Sequence, residues 1–321
     1  MAELVNMGVS EKKATRDGFG NGVLELFEKN SNVVAVSADL SESTKLNLLS
    51  EKFSNRLFEV GVAEANMVGI ASGLSIAGKI PFASTFCVFC PGRCYDQLRV
   101  TVGYGNLNVK LGSTHGGITV GADGASHQGL EDIALMRVLP NFTVLVPCDA
   151  VEAKKATIAS AKIKGPVYLR FGRDKVPVIT SEETHFEIGK ALVFKEGSDV
   201  AIIACGIMVY EALAAAKKLQ SEGIDAAVIN LHTIKPIDEQ LIIKFAKKTG
   251  AIVTAEEHQL HGGMGSAVLE VLGQEFPVPV KMVGIKDVFG ESGSPAELMK
   301  KYGLTSEDIV KAVKEVLELK K

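Results

Sequence analysis

The chain has 321 residues, enough for about two domains at roughly 150 residues each. Its 35 Lys plus Arg against 38 Asp plus Glu give a net charge of −3, which excludes a polybasic nucleic-acid or membrane surface as the main partner. A hydrophobic share of 46% with 23% charged excludes wholesale disorder.

The first elements alternate helix and strand. A helix is expected over 15–29, where Phe19, Val23, Leu26 and Phe27 recur at helical spacing, followed by the strand VVAVS (33–37) and the polar loop ADLSEST. The strand RLFEV runs into GVAEANMVGIASGLSIAG, a small-residue helix. Strand KIPFAST, helix GRCYDQLRV, strand NVKLGS, helix GLEDIALMRVL and strands TVLVP and PVYLR continue the rhythm, with Asp149 placed to cap the helix after VPC. The stretch 171–190 breaks it with a Pro and a polar cluster, so a linker is expected at about 176–190.

A second unit follows: strand DVAIIACG, a helix over 209–220, strand DAAVINL, a helix over 237–248, strand AIVTAEE, helix GMGSAVLEVL, strand VKMVGI and an amphipathic C-terminal helix carrying Ile309, Val313, Val316 and Leu317. Alternating strands and helices predict two tandem α/β domains, 10–178 and 190–321, each a mostly parallel sheet with helices on both faces. The apolar run 200–209 is far short of the ~20 residues that span a bilayer. The N-terminus MAELVNMGVSEKK has no apolar core of a signal peptide. With five cysteines, an odd count, the expectation is a soluble cytoplasmic protein.

Two segments concentrate chemistry. FEVGVAEANMVGIASGL places Glu64 just past a strand end at the start of a helix, either where α/β folds hold ligands or simply where a carboxylate favours the helix dipole. LGSTHGGITVGADGASHQGLED packs His115, Asp123 and His127 into a glycine-rich loop suited to a polar substrate. Cys87, Cys90 and Cys94 share one helical face, but three thiolates fall short of the usual four of an iron–sulfur cluster, so they are read as buried small residues and no metal site is expected. Glu256, Glu257, His258 and His261 lack zinc-protease order and are read as a domain-interface or loop cluster, with GGMG as a tight strand-to-helix turn.

ATRDGFG, SADLSES, GVAEANMVGIASGL, STFCVFCPGRCYDQLR and THGGITVGADGASHQ together resemble the pyrimidine-binding domain of transketolase, and residues 190–321 resemble that family's C-terminal domain. The resemblance implies thiamine diphosphate as cofactor. By position, Glu64 matches the glutamate on N1′ of the aminopyrimidine, Phe86 and Phe89 the aromatics lining that ring, and Asp39 a residue near the thiazolium. Asp123 and His127 match residues at the sugar hydroxyls and carbonyl oxygen, with His127 polarising the latter. Arg16, Ser43, His115 and Arg173 match the positions that grip the sugar phosphate. Ala122 stands where the family often has Glu, Ala125-Ser126 where it often has Pro-Thr, and CPGRCYDQ is one residue longer than the animal-type segment.

The family binds diphosphate and Mg²⁺ through a GDG motif with a later Asn, and this chain has RDG and ADG but no GDG. A diphosphate needs a metal or a nest of donors. The resemblance therefore implies the C-terminal subunit of a split transketolase, whose N-terminal partner carries GDG and the Asn, in an assembly of two copies of each chain. The implied reaction, of the pentose phosphate pathway, moves a two-carbon ketol unit from a ketose phosphate such as xylulose 5-phosphate to an aldose phosphate such as ribose 5-phosphate. The rivals are half of a 1-deoxyxylulose-5-phosphate synthase, which VGADG resembles but whose pattern lacks Thr114-His115, a 2-oxo acid dehydrogenase β subunit, which lacks the phosphate set, and a non-catalytic regulatory subunit, which would not need Glu64.

Overall fold

The computed structural model describes residues 11–320. The signal-free N-terminal reading, the first position of the 10–178 unit and the last of the 190–321 unit lie outside the described residues. The strands of the first unit are β1 (Lys12–Ala14), β2 (Val33–Ser37), β3 (Leu57–Glu59), β4 (Ile80–Phe86), β5 (Lys110–Thr114), β6 (Thr143–Leu145), β7 (Val167–Arg170) and β8 (Lys175–Pro177). Those of the second are β9 (Leu192–Lys195), β10 (Val200–Ala204), β11 (Ala226–Asn230), β12 (Thr233–Lys235), β13 (Ile252–Gln259) and β14 (Val280–Ile285).

One sheet runs β12-β6-β7-β5-β4-β2-β3, parallel except at β12, and the other β14-β13-β10-β11-β9, parallel except at β9. Helices cover the strands, so β2 and β10 are buried along their whole length and carry apolar residues without alternation. The helices Thr15–Lys29, Glu64–Ile76, Ala150–Ser160 and Met208–Ser221 fall where the periodicity puts them. Asp149 caps its helix by accepting the Glu152 N–H at 2.9 Å, and the same carboxylate accepts N–H groups of Ile179 and Thr180.

Three features differ from the sequence reading. Lys175–Pro177, at the start of the expected linker, is a strand that pairs antiparallel with β1. The segment expected as one helix over GRCYDQLRV is a tight turn at Gly92–Cys94, a short helical turn, and wide i→i+5 turns over Leu98–Tyr104. Most consequentially, β12 leaves its own unit and pairs antiparallel with β6, Thr233 opposite Leu145. Three residues are too few to show an alternating pattern, which hides this strand from periodicity.

The units are therefore interlocked. One buried apolar cluster contains Val144 and Val146 from the first and Leu231 and Ile234 from the second. Arg170, fully buried, bonds Asp132 at 2.9 Å and the carbonyls of Gly129 and Glu257, so the charge is paired and its donors satisfied. Asn230 donates to Glu152 at 2.7 Å across the same junction. Among the described residues, no helix is long and apolar enough to cross a membrane.

Candidate functional site

The site assembles at the carboxyl edge of the first sheet, where parallel α/β folds leave a crevice. Asp39 follows β2, Glu64 follows β3, Phe89 follows β4, His115 follows β5 and Arg173 follows β7. Arg16 comes from the first turn of Thr15–Lys29. Three residues of this edge, Asp39, Lys45 and His115, have left-handed backbones with φ of 63°, 70° and 60°. Non-glycine residues rarely adopt that conformation, which costs on the order of 1 kcal/mol or more and clusters at functional sites.

A cavity of about 290 Å³ is lined by Arg16, Glu42, Ser43, Lys45, Phe86, His115, Asp123 and Arg173. Arg16 Nη1 donates to the Ser43 carbonyl at 2.9 Å and lies 3.5 Å from His115 Nε2, while its Nε is buried without a partner. A guanidinium only donates, so Nε2 is the acceptor and Nδ1 carries the proton toward Thr114 Oγ1 at 2.8 Å. Burial, then Arg16, Arg173 and His127, push His115 down to about 3, so the ring is neutral. Burial, and the nearby Arg173, also pull Arg16 down against the opposing pull of Asp17. Arg173 Nη1 holds the Val120 carbonyl at 2.7 Å and Asp123 at 3.2 Å. Two guanidiniums lining one cavity, with Arg173 disfavouring the charge of Arg16 and an orphaned N–H on Arg16, suit an oxyanion.

From this cavity an aromatic cluster runs toward Glu64. Phe86 stacks on His115 at 3.7 Å and on Phe89 at 5.6 Å, and His127 meets Phe89 edge-on at 5.4 Å. Ser126 Oγ lies 2.9 Å from His127 Nδ1 and leaves Nε2 for a substrate. Arg93 Cζ sits 3.9 Å over the Phe89 ring, and its Nη1 donates to Glu64 Oε1 at 3.0 Å. Glu64 is only 4% exposed. Flat apolar rings beside a buried carboxylate that keeps one oxygen free of hydrogen bonds fit an aminopyrimidine, which needs stacking and one charge-assisted partner.

The structure thus brings together Arg16, Ser43, Glu64, Phe86, Phe89, His115, Asp123, His127 and Arg173. Asp39 stands apart from the cavity, exposed, with its N–H on Glu59 Oε2 at 3.0 Å. Sequence reasoning missed Arg93, Glu42 and Lys45. Arg93 lies in CPGRCYDQ, and its contacts with Glu64 and Phe89 leave no signal in the sequence. The three clustered thiols are buried and unpaired, and among the described residues no group of His, Cys, Asp and Glu is arranged to hold a metal. The Glu256–His258 cluster lies at the domain junction: Glu256 accepts the Met264 and Gly265 N–H groups at the start of a helix, and Glu257 accepts the Thr119 N–H from the first unit.

Residues 11–178 match the model of the transketolase pyrimidine binding domain and residues 189–309 that of the transketolase C-terminal domain. The chain is 44% identical to the 6-deoxy-6-sulfo-D-fructose transketolase subunit SqwH of Clostridium sp. (strain MSTE9), over 97% of this chain and 96% of that protein. It is 46% identical to a putative transketolase C-terminal section of Methanocaldococcus jannaschii, over 96% and 97%. A solved split-gene transketolase, described as an inactive beta4 tetramer, superposes with a TM-score of 0.90 at 51% identity, covering 96% of this chain and 99% of that one.

Proposed function

Because the chain belongs to the transketolase family of thiamine-diphosphate-dependent transferases, among its split C-terminal subunits, we propose that it moves a two-carbon ketol unit between sugar phosphates once joined to an N-terminal partner. The observation that carries this reading is the continuous path Glu64–Arg93–Phe89–Phe86–His115–Arg16, which sets a buried carboxylate at one end and an oxyanion cavity at the other. That is the order of groups that a cofactor ring and an anionic sugar tail call for.

Bound thiamine diphosphate supplies the nucleophilic carbon and electron sink for ketol transfer. The chain's own groups do the rest. Glu64 holds a proton at N1′ of the aminopyrimidine, and Phe86 and Phe89 line that ring and exclude water from it. His127, steadied by Ser126, offers its ring to the donor carbonyl oxygen, and Asp123 takes sugar hydroxyls. Asp39 flanks the thiazolium side. Arg16, Ser43, His115 and Arg173 hold the phosphate.

The partner, bearing GDG and the later Asn, supplies the diphosphate and Mg²⁺ site, and the assembly contains two copies of each chain. Five unpaired cysteines fit a reducing compartment, and the cytoplasm is the proposed location. SqwH is named for a sulfonated sugar, and a sulfonate is the nearest competing anion. A phosphate, with up to two charges, gains more from two guanidiniums.

The test mixes the purified chain with its partner, thiamine diphosphate, Mg²⁺, xylulose 5-phosphate and ribose 5-phosphate. Three- and seven-carbon products should form in the mixture and in neither subunit alone. Full turnover by the isolated chain would overturn the split reading, and transfer from 6-deoxy-6-sulfofructose alone would replace phosphate by sulfonate. Glu64→Gln keeps the shape but cannot pass a proton to N1′, so the assembled variant should lose exchange of the cofactor C2 hydrogen by orders of magnitude.

A further inference from the structure

Glu64 has one side-chain hydrogen bond, from Arg93 to Oε1. Its Oε2 makes none, and it is not among the buried atoms left without a partner, so it reaches open space. Arg93 is itself held from a second side, flat on Phe89, and the turn Gly92–Cys94 that carries it is anchored by the buried Cys94. The Arg93 side chain is 50% exposed, and a pair with one half-exposed partner adds little to stability. Its geometry is what matters.

We propose that Arg93 is a positioning residue for Glu64: by occupying Oε1 it turns the carboxylate so that Oε2 is the oxygen presented to the cofactor ring. This rests on the function proposed above, which sets Glu64 on N1′. The helix Glu64–Ile76 starts without a side-chain cap, so its first N–H groups compete for any nearby carboxylate. Arg93 holds the carboxylate against that competition. The planar fork matters, because only a guanidinium can lie on Phe89 and still donate to Oε1 along a fixed direction.

The test uses the chain assembled with its GDG-bearing partner, saturated with thiamine diphosphate and Mg²⁺, in wild-type, Arg93→Ala and Arg93→Lys forms. Cofactor affinity is read by calorimetry and C2 hydrogen exchange by NMR. Arg93→Ala should slow exchange by about tenfold or more while cofactor Kd stays within about threefold, as for other supporting residues around a reactive group. Arg93→Lys, with charge but no plane, should fall between the two. Should the alanine form fail to assemble, the lysine form alone must show slower exchange at unchanged affinity. Exchange at the wild-type rate in the variants overturns the proposal, and so does joint loss of binding and exchange with no recovery by lysine. A wild-type complex that binds the cofactor without accelerating exchange overturns the proposed function and this inference together, whereas failure in the Arg93 variants alone leaves the function standing.

Discussion

Glu257 in the second unit accepts the backbone N–H of Thr119 in the first at 2.6 Å, and the next residue of that loop, Val120, accepts from Arg173 at 2.7 Å. The C-terminal unit is thereby connected to the cavity lined by Arg16 and Arg173 through two hydrogen bonds. Gly117, with φ of 91°, makes the approach possible, since a Cβ there would collide with the Glu257 carboxylate.

Burial raises Glu257 to about 7, against the opposing pull of Arg170 and the Thr119 N–H. Between its ordinary value of 4.5 and about 7, the folded chain keeps a proton that the unfolded chain gives up, so rising pH through that window lowers stability, and the cost is complete above it. Glu257→Gln does not titrate. The stability of wild type relative to Glu257→Gln should therefore fall by up to about 3 kcal/mol between pH 5 and pH 8, as read by urea melts at each pH. Parallel pH curves for the two proteins would show that Glu257 stays ionised in the fold.

The thiols should be inert. Burial first of all lifts Cys87, Cys148 and Cys205 well above the usual thiol value, and hydrogen bonding with Cys94 followed by burial does the same for Cys90. Only thiolates react readily. A chromogenic disulfide reagent should titrate none of the five cysteines in the native chain and all of them in guanidinium. One fast native thiol would refute this packing.

Whereas the grouping of Arg16, Ser43, His115 and Arg173 came from the resemblance to a family, the helix–strand alternation and the capping role of Asp149 were legible because long apolar runs and cap residues carry their own local signal. The sheet that β12 joins was not, because Thr233–Lys235 is short and its partner β6 lies in the other unit, some ninety residues back in the chain. Arg93 was missed for a related reason. An arginine in a turn is usually a solvated charge, and only the fold reveals Phe89 beneath it and Glu64 beside it. Asp39 does not line this cavity, and its place on the thiazolium side rests on its motif alone.

Ending the chain at residue 178 should destroy the first unit rather than release it. The cut removes β12, leaves β6 as a bare edge and takes away the Lys235 ammonium, which donates to the Arg137 and Leu139 carbonyls. It also removes the Glu257 carbonyl from the buried Arg170. An unpaired edge invites aggregation, and a buried guanidinium with a lost partner costs a few kcal/mol. Light scattering should show aggregates and circular dichroism no cooperative melt; a soluble fragment with a sharp transition would mean that the two units fold independently.

Arg173 decides the last prediction, because two partners compete for it. In the free chain it pairs with Asp123 at 3.2 Å, with both side chains 38% exposed. A pair so open to solvent is worth less than about 1 kcal/mol, whereas a charge-assisted contact to a bound oxyanion is worth about 2–3 kcal/mol. The anion should win the guanidinium, and the freed Asp123 then faces the sugar hydroxyls. Arg173→Ala in the assembled enzyme should raise KM for xylulose 5-phosphate by roughly 30- to 150-fold, while KM for an unphosphorylated ketose changes little. Arg173→Lys should recover part of the loss, since a point charge holds phosphate without the fork. Steady-state kinetics on both ketoses separates the cases. An equal loss on the two would show that Arg173 serves the Val120 carbonyl and the loop it steadies, and that the oxyanion is gripped by Arg16 alone.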